Sequence, residues 1–142
     1  MIARVLCMAL LAVVVSASGA TAQGRKPAKP KTAYEICIEK ARMVDRAMAI
    51  CGNEETARRD RQVNAVYKQL LAKSEEPAKS FLVKSQRDYL AFRESRCDYF
   101  AAEWGGTEAY LLASDCSSRM TEERLKELNE FWEIVRDREP AR

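Results

Sequence analysis

Four cysteines, Cys37, Cys51, Cys97 and Cys116, follow an N-terminal stretch ordered like a cleavable export signal, and the chain contains no histidine. In an oxidising compartment an even set of thiols in so short a chain reads as a framework of two disulfides. Zinc is the competing use of four cysteines. It is disfavoured by spacings of 13, 45 and 18 intervening residues, with no Cys-x-x-Cys knuckle. No metal and no cofactor are therefore expected.

The leader has three parts. Arg4 supplies a short positive region, residues 5–15 form an unbroken apolar run, and Ala20-Thr21-Ala22 offers a small-x-small cleavage site. Residues 1–22 are expected to be a signal peptide, cleaved near Ala22 to leave Gln23 first. A spanning helix needs roughly 20 apolar residues, so the run predicts no stable membrane anchor. The fifth cysteine, Cys7, sits inside this leader and is lost with it. The expected location is the periplasm or the exterior.

Charge divides what remains. Arg25, Lys26, Lys29 and Lys31 crowd the segment GRKPAKPK, which has too few apolar residues to offset the entropy of ordering. Residues 23–33 are read as a flexible basic linker, a solvated spacer able to touch anionic lipid or cell-wall polymer. Residues 34–139, the predicted domain, carry 18 Lys and Arg against 21 Asp and Glu. Such a balance argues against a nucleic-acid partner, which needs a concentrated basic surface.

From Tyr34 onward the pattern is helical, with no sustained period-two alternation. Val63, Val66, Tyr67 and Leu70 recur at three- and four-residue steps on one side of a helix. Glu54, Glu55, Arg58, Arg59 and Arg61 sit mostly off that stripe and are expected to be solvated. Asp45 is a candidate N-cap for this long helix. Pro77 then predicts a tight hairpin and a second helix over residues 77–103.

Projected at 100° per residue from Tyr89, Leu82 and Phe100 fall at about 20°, Arg93 at about 40° and Gln86 at about 60°. Polar side chains thus share the face that ought to be buried. On the first helix Asn64 lies about 60° from Tyr67. Asn64, Gln86 and Arg93 are read as a hydrogen-bonded polar layer between the two helices. The functional alternative is a binding patch built from Tyr89, Arg93 and Arg96.

Gly105-Gly106 predicts a helix stop, and Thr121 followed by Glu122 and Glu123 predicts the start of a last helix with Leu125, Leu128, Trp132 and Val135 inward. The architecture expected is all-α, a small disulfide-stapled helical hairpin or bundle of three to four helices. Cys37 and Cys51 would lie about 21 Å apart on one straight helix, so either the chain bends between them or they bond elsewhere. Local pairing, Cys37 with Cys51 and Cys97 with Cys116, is preferred. Crossed pairing stays open, because the hairpin brings Cys97 near the start of the first helix.

The order of these residues resembles a known family. A cysteine precedes an Asn-x-x-Tyr-x-x-Leu helix, here Cys51, Asn64, Tyr67 and Leu70; Ser85, Gln86 and Arg87 lead to Tyr89, Arg93 and Cys97. Gly105, Gly106, Cys116, Thr121, Arg124, Glu127 and Leu128 complete the pattern. In this it is similar to the lysozyme inhibitor LprI-like N-terminal domain of exported bacterial proteins, over about Cys37 to Trp132. Val63 and Met120 stand where that family usually shows Leu.

The resemblance implies an all-helical exported protein whose partner is a protein, with lysozyme inhibition as the family's named activity. Such an inhibitor must occlude a cleft lined by carboxylates on a generally basic enzyme. Residues 122–139 carry seven acids against four bases, and could supply a complementary patch or simply a solvated helix face. The alternative function is a periplasmic structural or envelope-stress interaction protein. An enzyme is not expected. Histidine, the usual general base, is absent, and there is no Gly-rich phosphate loop.

Overall fold

In a computed structural model of the chain, residues 29–138 are described, and they form four helices with no strand among them. The predicted signal peptide, its cleavage point and most of the predicted linker lie outside the described residues. No helix among those described is long and apolar enough to cross a membrane.

Helix α1, Ala33–Ala41, opens on a reciprocal cap. The Thr32 hydroxyl accepts from the Glu35 amide at 3.2 Å, while the Glu35 carboxylate accepts from the Thr32 amide at 2.7 Å. Two orphan donors are thereby satisfied. Arg42 and Met43 then adopt left-handed φ of 48° and 61°, which reverses the chain into α2. α2 runs from Asp45 to Lys73. Its N-cap is Val44 rather than the expected Asp45, whose carboxylate accepts instead from Thr107 at 3.2 Å.

A break at residues 74–77 separates α2 from α3, Ala78–Glu103, whose N-cap is Pro77. The next break is much shorter than the sequence predicts. Trp104, Gly105 and a left-handed Gly106 make the whole turn, and α4 runs unbroken from Gly106 to Val135. Thr121 therefore caps nothing. It lies fully buried in mid-helix, donating to the Ser117 carbonyl at 2.8 Å, so tertiary burial overrides its local preference for a helix start.

α4 is the spine of the molecule. α2 packs along it in parallel, as Thr107 with Asp45 at one end and Lys73 with the Arg138 carbonyl at the other require. α3 packs on α4 antiparallel, and α1 packs on α2. The hairpin of α2 and α3 thus holds the last helix between its arms. Close approach of α2 and α4 depends on Gly52, where a Cβ would stand 2.9 Å from Ser114 Oγ and 3.2 Å from its Cβ.

Two apolar clusters fill the interior. Val63, Leu70 and Leu128 form one, with Val66, Tyr67, Leu82, Leu125, Trp132 and Val135 around them. Burying a side chain such as Leu128 fully contributes about 1.5–3 kcal/mol. Cys97, Cys116 and Met120 form the other, with Tyr89 and Phe100 against them. Both cystines are local: Cys37 with Cys51, Cα–Cα 5.7 Å, and Cys97 with Cys116, Cα–Cα 5.6 Å. The first fastens α1 to α2 and the second fastens α3 to α4.

Candidate functional site

Between the two apolar clusters and around them runs a ladder of arginines. Arg124 on α4 is only 3% exposed. Its Nε donates to Gln86 Oε1 at 3.0 Å and its terminal nitrogens to Ser85 Oγ at 3.1 Å and Glu127 Oε2 at 2.6 Å. One rung away, Arg93 on α3 donates to Asp60 Oδ1 at 2.7 Å and Thr121 Oγ1 at 2.6 Å, joining α3 to both α2 and α4. Burial works against the charge of Arg93, but the Asp60 carboxylate and the Tyr89 hydroxyl together outweigh it and hold its pKa above that of an ordinary arginine.

Tyr89 lies between these two cations. The guanidinium carbons of Arg93 and Arg124 stand 5.5 and 5.3 Å from its ring centroid, within cation–π range. Its hydroxyl is buried without a hydrogen bond of good geometry, although it sits near enough to favour the charge on Arg93. The stack locks the ring, so Tyr89 is an internal spacer.

The third rung is Glu55, 6% exposed on α2. Arg58 meets its carboxylate at 2.5 and 2.7 Å and Arg59 at 3.0 Å. The Arg58 hydrogen bond, with the charge of Arg59 behind it, overcomes burial and draws the Glu55 pKa below its ordinary value. Arg59 continues across to α4, reaching Ser118 Oγ at 2.8 Å, the Ser118 carbonyl at 3.0 Å and Glu122 at 2.9 Å.

The structure redistributes the residues singled out from the sequence. Gln86 is buried and Arg93 half-buried, each in hydrogen-bond contact with α4, but Asn64 is exposed and does not join them. Asn64 lies about 100° round α2 from Val63, and the face of α2 is set by α4 rather than by α3. Of the trio Tyr89, Arg93 and Arg96, only Arg96 is exposed; its guanidinium stacks over Phe92 at 5.9 Å. Beside Arg93 is an open depression of about 400 Å³ that Leu90, Glu94, Asp98 and Ser117 help to line.

Glu55 and Arg59, expected in solvent, are interior, whereas Glu54 and Arg61 are exposed as expected. Arg124 entered the sequence analysis only within the family pattern and not in the polar layer, yet it is the most deeply buried arginine of this network. A helical projection from Leu128 would have found it, since Arg124 stands one turn earlier on the core stripe.

On the outer face of α4 the acids form a row. Glu123, Glu127 and Glu130 recur at four- and three-residue steps and are all exposed. Glu127 is paired with Arg124, while Glu123 and Glu130 make no ion pair among the described residues. No group of His, Cys, Asp or Glu among those residues could hold a metal ion.

Fold and interior together define a small all-helical module clamped by two cystines. A family model described as Lysozyme inhibitor LprI matches residues 37–128. The chain belongs to that family. No curated protein and no solved structure matches it.

Proposed function

We propose that this protein is an exported, non-enzymatic binding protein that inhibits lysozyme by protein–protein contact. The observation that carries the reading is the family match across residues 37–128. Two cystines support export, because they persist in oxidising compartments. The contact surface in this reading is the row Glu123, Glu127 and Glu130 on α4, which complements a basic enzyme. Arg96 on its Phe92 platform is the part of the earlier candidate patch open to a partner, while Tyr89 and Arg93 act behind it as positioning residues.

The test is a cell-wall lysis assay with the purified, disulfide-intact protein against several lysozymes. Inhibition should saturate with inhibitor and weaken in Glu123→Lys and Glu130→Lys. Full enzyme activity at micromolar excess of the wild-type protein would remove the reading.

A second reading, an envelope interaction protein without lysozyme activity, is favoured by one surface feature. Phe81, Phe92 and Tyr99 are all exposed on one flank of α3. An apolar row of this kind suits docking to another protein. A pull-down that captures endogenous envelope proteins, and no lysozyme, would support it.

A further inference from the structure

Two chain reversals meet at one end of the molecule. The α1–α2 corner and the α3–α4 turn are tied there by the hydrogen bond from Thr107 to Asp45. This end is unusually apolar for an exposed surface. Met43, at the tip of the first corner, is 83% exposed, and Val44, Ile50, Trp104 and Tyr110 are exposed as well. Arg46, Ile50 and Tyr110 line a common shallow groove of about 240 Å³ between α2 and α4.

Cations cluster at the first corner, where Asp45 is the acid between them. Lys40, Arg42 and Arg46 are exposed and make no ion pair among the described residues. Glu103 and Glu108 are the exposed acids nearest the second turn.

From this combination we infer that the double-corner end of the domain docks on an anionic lipid surface, with Met43, Val44 and Trp104 entering the headgroup layer and Lys40, Arg42 and Arg46 holding the charged headgroups. Each element has its physical reason. Aliphatic tips gain by leaving water. Tryptophan and tyrosine favour the boundary between headgroup and acyl chain, since each has an apolar ring and a polar handle. Arginine and lysine stems lie along apolar surface while their heads stay in the phosphate layer. The corner is held by consecutive left-handed residues and bracketed by the Cys37–Cys51 bond, so it meets the surface already shaped. Docking there leaves the α4 acid row pointing along the surface or away from it.

The experiment uses the disulfide-intact chain from Gln23 and vesicles of phosphatidylcholine with and without phosphatidylglycerol. The protein should co-sediment with the anionic vesicles and be released by salt. In a Trp132→Phe background, Trp104 emission should shift to the blue and be quenched by brominated acyl chains. Each basic side chain neutralised should weaken partition about fivefold, so Arg42→Gln with Arg46→Gln should cost about 25-fold. Met43→Ser with Ile50→Ser should abolish the quenching, whereas Phe81→Ser, on the remote part of α3, should change nothing.

Several results would overturn the inference. No binding to anionic vesicles is one. Another is binding that survives all the corner variants but vanishes when residues 23–30 are deleted, which marks a simple polycation. Equal binding to soluble polyphosphate with no change at Trp104 is a third. Loss of lysozyme inhibition in the corner variants with unaltered vesicle binding would make the corner a protein contact instead.

Discussion

Replacing Arg124 by methionine tests the interior ladder directly. Methionine keeps most of the apolar stem and removes the guanidinium, so little cavity is left. Gln86 Oε1 then loses its charged donor in a buried setting, which costs about 1–3 kcal/mol. Ser85 and Glu127 are half-buried and exposed respectively, so water replaces their partner and the ion pair counts for only about 0–1 kcal/mol. Loss of one cation from the Tyr89 ring adds about 0.5–1 kcal/mol. Relief from burying a charge offsets part of this. The net expectation is a loss of about 2 kcal/mol, read as a lower midpoint with unchanged slope in urea unfolding, cystines intact.

The decisive measurement is the double-mutant cycle with Gln86→Leu. Leucine alone orphans the Arg124 Nε and should cost a similar amount. Both changes together replace a polar contact by an apolar one and should recover about 1–2 kcal/mol relative to the sum of the singles. Additive losses, or a single Arg124→Met loss below about 0.5 kcal/mol, would refute the view that these two residues are one buried unit.

Four further outcomes follow from particular contacts. Replacing Cys37 and Cys51 by serine should loosen α1 first, because α1 packs chiefly on α2; hydrogen exchange should rise across residues 33–41 while α2 and α4 stay protected. Replacing Cys97 and Cys116 by alanine should lower global stability by about 3 kcal/mol in denaturant, since that bond joins α3 to the spine. Gly52→Ala should cost about 1–3 kcal/mol by forcing α2 from Ser114, and Ser114→Gly in the same chain should restore most of it. The pH dependence rests on Glu55. Its folded pKa lies below the ordinary carboxylate value, so its contribution is full above that value and is lost as pH falls through the lowered one. Glu55→Gln should flatten that acid limb in unfolding measured at a series of pH values.

Much of this protein is written in local pattern. The helical period of Val63, Val66, Tyr67 and Leu70 survives into the core of α2, the proline at 77 stands at the start of α3, and the reversal before Asp45 lets Cys37 reach Cys51 as preferred. These properties depend on neighbours within a turn or two, and a projection at 100° per residue captures them. The same arithmetic placed Gln86 and Arg93 toward the interior without knowing what they would meet.

What met them was decided by packing. α4 lies beside both arms of the hairpin, so α2 turns Glu55 and Arg59 inward and Asn64 outward, and Arg124 becomes the centre of the polar interior. Thr121 carries every local mark of a helix start, yet it is sealed inside a continuous α4 because Arg93 and the Ser117 carbonyl satisfy its hydroxyl there. A cap is a choice between water and a few near neighbours. A buried hydrogen bond between distant helices is worth more than that choice, and its partners are known only once three helices have come together.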